Sequence, residues 1–148
     1  MTGYPLRLFI LLAGLLVVVP SCGKKAPPFL PKKAFSLRVS ALEGEWREEV
    51  VFLRGRIDGL DKGKETGDQV KGCRIFYGQY PVKNPPCETC PIKYEGYQDV
   101  GPEVVKEESF FCRLTGKVAG RIYFFKVHLI GKGGVLGPAS ERLRLVVK

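Results

Sequence analysis

Residues 120–129 read GRIYFFKVHL, and this stretch decides the fold. Apolar and polar side chains alternate along its second half, which is typical of a β-strand that buries one side and exposes the other to water. The buried side is expected to carry Tyr123, Phe125, Val127 and Leu129. The other side includes Lys126 and His128, so the alternation predicts that His128, the single histidine of the chain, is exposed to solvent.

Short segments of the same β type occur on both sides of this stretch. They are separated by turn residues or by a charged, Gly-rich loop at residues 59–67, and none is a convincing amphipathic helix. The segments are residues 37–41, 49–57, 70–77, 94–100, 109–115, 121–130 and 141–147. About seven short strands with turns between them predict an all-β sandwich.

The last third of the chain resembles a fibronectin type III domain. In that family a glycine precedes a Tyr-Xaa-Phe-Xaa-Val strand, a Gly-rich hairpin follows, and Gly-Pro-Ala/Ser opens the last strand. Residues 120–129, 131–134 and 137–140 match these features in the same order, and residues 70–77 are similar to the family's strand C. The resemblance implies a fibronectin type III or immunoglobulin-like sandwich over residues 35–148.

The resemblance also implies that Tyr123 is the tyrosine-corner residue, whose hydroxyl binds nearby backbone. Strand B departs from the family, because Arg54 or Gly55 stands where the family has a core tryptophan. Trp46, the one tryptophan of the chain, precedes that strand. The charged insert at residues 58–68 is a second departure. Both point to an immunoglobulin-like relative rather than to a standard member of the family.

The N-terminus has the layout of a bacterial export signal. One basic residue, Arg7, precedes an apolar run at residues 8–19, which is shorter than the roughly 20 residues that a membrane helix needs. The sequence Val-Pro-Ser-Cys at residues 19–22 then resembles the lipobox of bacterial lipoproteins. The resemblance implies a signal peptide over residues 1–21 and, after its removal, a lipid on Cys22. The alternative is an ordinary secretion signal or an uncleaved anchor helix.

Residues 22–34 are expected to form a lipidated, proline-rich tether. They contain three prolines and no periodic apolar pattern, which favours an extended, polyproline-like chain. The opening CGKKAPP is similar to the start of many small Gram-negative lipoproteins. Gly23 stands where lipoproteins retained in the inner membrane typically have Asp. The resemblance therefore favours an outer-membrane anchor with the domain facing the periplasm.

Length and charge limit the functions that the chain can have. The sequence has 148 residues and a net charge of +9, and removal of residues 1–21, which include Arg7, would leave +8 on 127 residues. That length suits one domain rather than a two-domain enzyme. The basic residues are scattered and match no nucleic-acid-binding module, so no nucleic-acid partner is expected. We interpret the charge as a solvated surface, with binding of an anionic glycan as an alternative.

The chain has five cysteines, an odd number for an exported protein. A lipid on Cys22 leaves four, and an even number suits disulfide formation in an oxidising compartment. Cys87 and Cys90 form a Cys-Xaa-Xaa-Cys motif in a proline-rich loop, and the acidic Glu88 beside them disfavours a reactive thiolate. We predict a structural disulfide there. Half of a metal site and a thiol-exchange pair are the alternatives.

Cys73 and Cys112 lie on separate predicted strands, and the alternation allows both thiols to point into the core. The two strands belong to opposite sheets in the fold that the sequence resembles, so a bridge between the sheets is geometrically feasible. Two buried free thiols are an equal alternative, since free cysteine is well accommodated in a core.

The sequence contains no arrangement that we interpret as an active site. We therefore expect a protein that is not an enzyme and needs no cofactor or metal. The preferred function is a non-catalytic protein-binding or scaffold module of the cell envelope. It would be held at the membrane by its lipid and would contact an envelope protein that the sequence does not identify. The alternatives are a thiol-redox or metal-handling protein using Cys87 and Cys90, and the anionic-glycan-binding module.

Overall fold

The computed structural model describes residues 35–59 and 66–148 of the chain. The predicted signal peptide, Cys22, the tether and most of the charged loop lie outside these residues. Within the described part, no helix is long and apolar enough to cross a membrane.

Two antiparallel sheets make up the domain. In spatial order, the first contains β1 (Arg38–Arg47), β2 (Val50–Asp58), β6 (Ser109–Leu114) and β5 (Val105–Lys106). The second contains β4 (Gly96–Val100), β3 (Val70–Pro81) and β7 (Arg121–Gly131), followed by β8 (Leu136–Ala139) and β9 (Leu143–Val147), which both pair with β7. The connections include a four-residue helix α1 (Thr66–Gln69) and 3-10 turns at Pro102–Val104 and Lys132–Gly134.

The predicted fold class is confirmed. In immunoglobulin nomenclature the two sheets read A-B-E-D and C′-C-F-G, which is an all-β, fibronectin type III-like sandwich. The strands form because β-branched and aromatic residues recur at every second position, so that each sheet has an apolar inner side. The core lies between these inner sides. Its largest fully buried side chains include Tyr123, Phe110, Phe125, Leu37 and Leu53.

The strand pattern differs from the prediction in two places. The described residues form nine strands, because β5 is a two-residue addition and β8 precedes the predicted last strand. Ser140 lies at the break between β8 and β9. Its hydroxyl accepts a hydrogen bond from the N–H of Val127 at 2.9 Å, and its own N–H donates to the carbonyl of Val127 at 2.8 Å. A side chain thus replaces one backbone partner of β7 where the last strand is interrupted.

Trp46 lies in β1 and does not replace the missing tryptophan of the second strand. It is partly buried against the core, and its indole N–H donates to the carbonyl of Lys148 at 3.0 Å. This bond joins the end of the chain to the first sheet. The register of β2 turns Leu53 and Ile57 inward instead.

Candidate binding face of the second sheet

The outer side of the second sheet carries large aromatic residues at positions that usually face water. Phe76 and Tyr80 of β3 and Phe124 of β7 alternate with the residues that point into the core. Ile122 and Phe124 are only 1% and 4% exposed, although neither belongs to the core between the sheets. Burial on this side requires a cover outside the sheet.

Residues 82–95, which connect β3 to β4 and which we call the disulfide loop, supply that cover. The N–H of Lys93 donates to the hydroxyl of Tyr80 at 3.0 Å, and the N–H of Glu95 donates to the carbonyl of Tyr77 at 2.9 Å. Gly78 lies directly beneath, and a Cβ at this position would overlap the carbonyl oxygen of Lys93. The absence of a side chain at residue 78 therefore lets the disulfide loop contact the sheet.

Phe76 lies at the centre of a group of rings on this outer side. Its centroid is 5.4 Å from that of His128, 5.8 Å from Tyr97 and 6.4 Å from Tyr94. The His128 and Tyr94 rings meet it edge-on, a favourable arrangement for aromatic pairs. Tyr97 is 56% exposed, so the group reaches the surface.

Three cations lie over rings of the same surface. The guanidinium of Arg74 is 4.2 Å from the Tyr97 centroid, the ammonium of Lys126 is 5.6 Å from Tyr94, and the guanidinium of Arg142 is 5.6 Å from Phe124. Cation–π contacts of this kind hold the charges in defined positions. We call this surface the aromatic–cationic face; its residues are Arg74, Phe76, Tyr80, Tyr94, Tyr97, Phe124, Lys126, His128 and Arg142.

Arg74 and Asp99 form a two-pronged ion pair at the edge of this face. Nε and Nη2 of Arg74 each lie 2.7 Å from a carboxylate oxygen of Asp99. The two residues are directly opposite on neighbouring strands. Hydrogen bonds from the guanidinium lower the pKa of Asp99 below its ordinary value.

Cys87 and Cys90 are joined by a disulfide in the exposed part of the disulfide loop. Cys87 lies in a turn rather than at the start of a helix, the position that activates a thiol in exchange enzymes. Arg142, just before β9, donates one guanidinium N–H to the carbonyl of Cys90 at 3.2 Å and another to the carbonyl of Glu88. The disulfide and Arg142 together fix this segment against the last strand.

A cleft of about 460 Å³ opens between the disulfide loop and the last strand; we call it the arginine cleft. Residues 85–88 line one side, and Phe124, Arg142 and Arg144 line the other. Its volume falls in the range of about 300–1,000 Å³ that is common for ligand sites. The cleft adjoins the aromatic–cationic face through Phe124 and Arg142.

The hydroxyl of Tyr94 is buried and has no hydrogen-bond partner in the described part of the chain. Burial raises its pKa, and the positive charge of Arg142 acts in the opposite direction. A buried polar atom of this kind is rare in a folded protein. Tyr94 therefore contributes its ring, and not an accessible donor, to the aromatic–cationic face.

Cys73 and Cys112 lie on opposite sheets and are buried in the core as free thiols. Of the two arrangements that the sequence left open, the structure has the unbridged one. The hydrogen bond between the thiols, together with burial, raises the pKa of Cys73, which keeps this thiol protonated. The thiol of Cys112 lies 3.6 Å from the carbonyl of Arg113. In this state the pair packs as small apolar residues do.

Tyr123 and His128 occupy opposite sides of β7. The Tyr123 hydroxyl accepts a hydrogen bond from the N–H of Val118 at 2.9 Å and donates to Oε1 of Gln79 at 3.3 Å. The expectation of a solvent-exposed His128 requires correction, since this residue is half-buried. Its Nδ1 lies 2.8 Å from the carbonyl oxygen of Gly137, and its ring packs on Phe76. The prediction from alternation was wrong because this side of the sheet is partly covered.

Sequence reasoning missed the aromatic–cationic face and the role of Arg142. One signal was available, because Ile122 and Phe124 are apolar on the side of β7 that was predicted to be polar, and a strand apolar on both sides indicates a covered sheet. Arg142 gave no such signal. Its partners are backbone carbonyls 52 and 54 residues away, which no side-chain pattern records.

Comparison with known proteins gives structural similarity only. No family model matches the chain, and no curated protein matches it. Six chains of solved structures match. One of them, described as "Myokine structure", is 14% identical, with a TM-score of 0.46 over 74% of this chain and 95% of that chain. A similarity at this level carries no information about function.

Proposed function

We propose that this chain is a non-catalytic protein-binding module of the cell envelope, whose contact surface is the aromatic–cationic face. The observation that carries the proposal is the exposed Tyr97 with the guanidinium of Arg74 4.2 Å from its centroid. Tyrosine and arginine are enriched among the residues that dominate binding energy at protein interfaces. Rings and cations already held in place lose little conformational freedom when a partner binds.

The candidate catalytic groups make contacts within the domain. The ring nitrogen Nδ1 of His128 is engaged by Gly137, and the sulfurs of Cys87 and Cys90 are joined to each other. The described residues also contain no group of three His, Cys, Asp or Glu side chains placed to hold a metal ion. We propose that the module acts by contact, as a recruiter or scaffold.

The proposed location is the periplasmic side of the outer membrane, with a lipid on Cys22 and residues 22–34 as the tether. This part of the proposal rests on the sequence alone. Cys22→Ala should abolish lipid-dependent processing and release the protein from the membrane fraction, because it removes the thiol that would carry the lipid. A variant that still fractionates with membranes at high salt would contradict the lipid anchor.

Site-specific photocrosslinking in intact cells tests the contact surface. Tyr97 is replaced by a photoreactive phenylalanine derivative, and Phe111 on the outer side of the first sheet is the matched control, being 48% exposed against 56% for Tyr97. We expect a discrete protein adduct from position 97 that is absent from position 111. Adducts of equal yield from both positions, or from neither, would overturn the proposed surface.

Thiol exchange at Cys87 and Cys90 is a second candidate because both residues are exposed and the bond borders the arginine cleft. It predicts turnover in a thiol-exchange assay and a reduction potential near those of exchange enzymes, above about −270 mV. The binding proposal instead predicts no turnover and a potential below about −300 mV, as is usual for structural disulfides.

A further inference from the structure

We propose that the arginine cleft binds side-chain carboxylates of an extended acidic segment of a partner protein, with Arg142 and Arg144 as the recognising groups. This inference rests on the proposed binding function and names the chemistry of the partner. It is carried by the placement of the two guanidinium groups, by the covered rings beside them and by the balance of charge in the cleft.

Arg142 is held in position before any ligand arrives. Two of its N–H groups donate to the carbonyls of Glu88 and Cys90, and its guanidinium lies over Phe124. A guanidinium has five N–H donors, so donors remain after these two bonds. A fixed cation with unused donors can bind a carboxylate without first losing the freedom of a flexible side chain.

Arg144 lies two residues further along the same edge and is exposed. It is directly opposite Phe124 in the pairing of β9 with β7, and it lines the cleft together with Arg142. Leu143 and Leu145 turn toward the core, which places Arg144 on the outer side. Arg142 and Arg144 therefore flank the buried ring of Phe124.

The spacing of the two arginines suits an extended peptide. Arg142 directly precedes β9 and Arg144 lies in it, and the backbone positions of alternate residues in an extended chain are about 6–7 Å apart. An extended segment that carries an acidic residue at every second position has the same repeat, so one Glu can face each guanidinium. Lys126 follows Phe125, which pairs with Leu143, so Lys126 lies beside Arg142 at the start of the neighbouring strand and adds a third positive charge next to the cleft.

Charge in the cleft favours an anion. Two guanidinium groups line it against one carboxylate, that of Glu88, which is exposed. The rest of the lining is Pro85, Pro86, Cys87 and Phe124, which offer no competing charge. Charge-assisted hydrogen bonds between guanidinium and carboxylate are about twice as strong as neutral ones.

The covered rings argue for a peptide rather than an anionic glycan. Sugar recognition by aromatic residues uses free ring faces, and here Tyr97, Tyr94 and Phe124 each have a cation over one face. Phe76 is surrounded by three other rings. The surface thus presents cations that pack on rings, and these cations bind carboxylates through charge and hydrogen bonds.

The test measures binding of a fluorescent peptide of alternating Glu and Ser to the full lipidated chain in zwitterionic detergent, at low and physiological salt. Arg144→Gln is the decisive variant because Arg144 holds no loop carbonyl, and Arg142→Gln is the second. Arg113→Gln is the matched control, since it removes one guanidinium that lies 6.0 Å from the Phe111 ring on the opposite sheet.

We expect Arg144→Gln and Arg142→Gln each to raise the Kd about tenfold, the effect of about 1.4 kcal/mol, and Arg113→Gln to change it less than about twofold. Equal losses in all three variants would mean unspecific attraction to a basic protein and would overturn the proposal. An oligogalacturonate or anionic phospholipid vesicles that bind more tightly than the peptide, with the same dependence on Arg144, would also overturn it and assign the cleft to a glycan or a membrane.

The outcome is distinguishable from that of the proposed function. If the peptide does not bind while the crosslink from Tyr97 persists in Arg144→Gln, the protein-binding function stands and the acidic-peptide inference is wrong.

Discussion

The two sides of β7 are buried by different parts of the molecule. Tyr123, Phe125, Val127 and Leu129 face the first sheet, and each is at most 2% exposed. Ile122 and Phe124 on the other side are buried almost as well, but Phe124 packs against Tyr80, Arg142 and the disulfide loop instead of a second sheet. A sheet is a rigid cover and a surface loop is not. Equal burial on the two sides therefore does not imply equal contributions to stability.

Replacing the two neighbouring phenylalanines gives the largest expected effect and tests this comparison directly. Phe125→Ala should lower the free energy of unfolding by about 3–5 kcal/mol, because the two sheets cannot close the cavity. Phe124→Ala should cost about 1–3 kcal/mol, since the loop can settle into the space and water can reach it. Urea denaturation of both variants measures the difference. Equal losses would show that the loop is as rigid a cover as the opposite sheet.

Tyr123→Phe tests the contribution of a single hydroxyl on the inner side of β7. Loss of the hydroxyl leaves the N–H of Val118 without its acceptor and should cost about 1–3 kcal/mol. Tyr80→Phe is the matched control on the outer side, because the bond of its hydroxyl to the N–H of Lys93 is exposed, whereas the Tyr123 hydroxyl is part-buried and also donates to Gln79. We expect a loss below about 1 kcal/mol there. Melting temperatures that fall equally in both variants would contradict this difference.

Sequence reasoning was strongest for the inner side of the sandwich. Tyr123, Phe125, Val127 and Leu129 were predicted to be buried from their spacing, because the two-residue period of a strand is local and visible in the sequence. The fold class followed from the same period repeated along the chain. The break at Ser140 was missed, because a serine hydroxyl that replaces a backbone partner of β7 has no periodic signature.

The outer side was predicted poorly for a physical reason. Whether Phe124 faces water depends on the path of residues 82–95, which is set by a glycine at 78, two hydrogen bonds and the contacts of Arg142. His128 is half-buried through its contacts with Phe76 and Gly137. These determinants are scattered over more than sixty positions, and about half involve backbone atoms that are the same for every residue type. The pairing state of Cys73 and Cys112 was open for a similar reason, since residue spacing does not determine the separation of two sulfurs.

The disulfide loop itself provides the next smaller effect. Joint replacement of Cys87 and Cys90 by Ala should lower the free energy of unfolding by about 2 kcal/mol or less, because a bond across so few residues removes little entropy from the unfolded chain. The inner side should stay folded, whereas amide hydrogens of residues 82–95 should exchange faster. Reduction of the unmodified protein is the control and should give the same pattern. Global loss of protection would show that the loop supports the core.

The smallest expected effect is at the exposed edge of the aromatic–cationic face. The guanidinium of Arg74 lowers the pKa of Asp99, so the folded state binds a proton there less readily than the unfolded chain. The stabilisation of the folded state by the Arg74–Asp99 ion pair is therefore complete above the pKa of Asp99 in the unfolded chain, about 4. It is lost as the pH falls through the lower pKa of Asp99 in the folded protein. Asp99→Asn should be slightly less stable than the parent protein at pH 7 and equal to it near pH 2. Because the pair is exposed, this difference should shrink in high salt.

The stability difference is measured by urea denaturation across this pH range, with Phe111→Ala as a control whose effect should not vary with pH. An Asp99→Asn effect that is equally large at pH 2 would mean that the carboxylate acts through packing rather than charge.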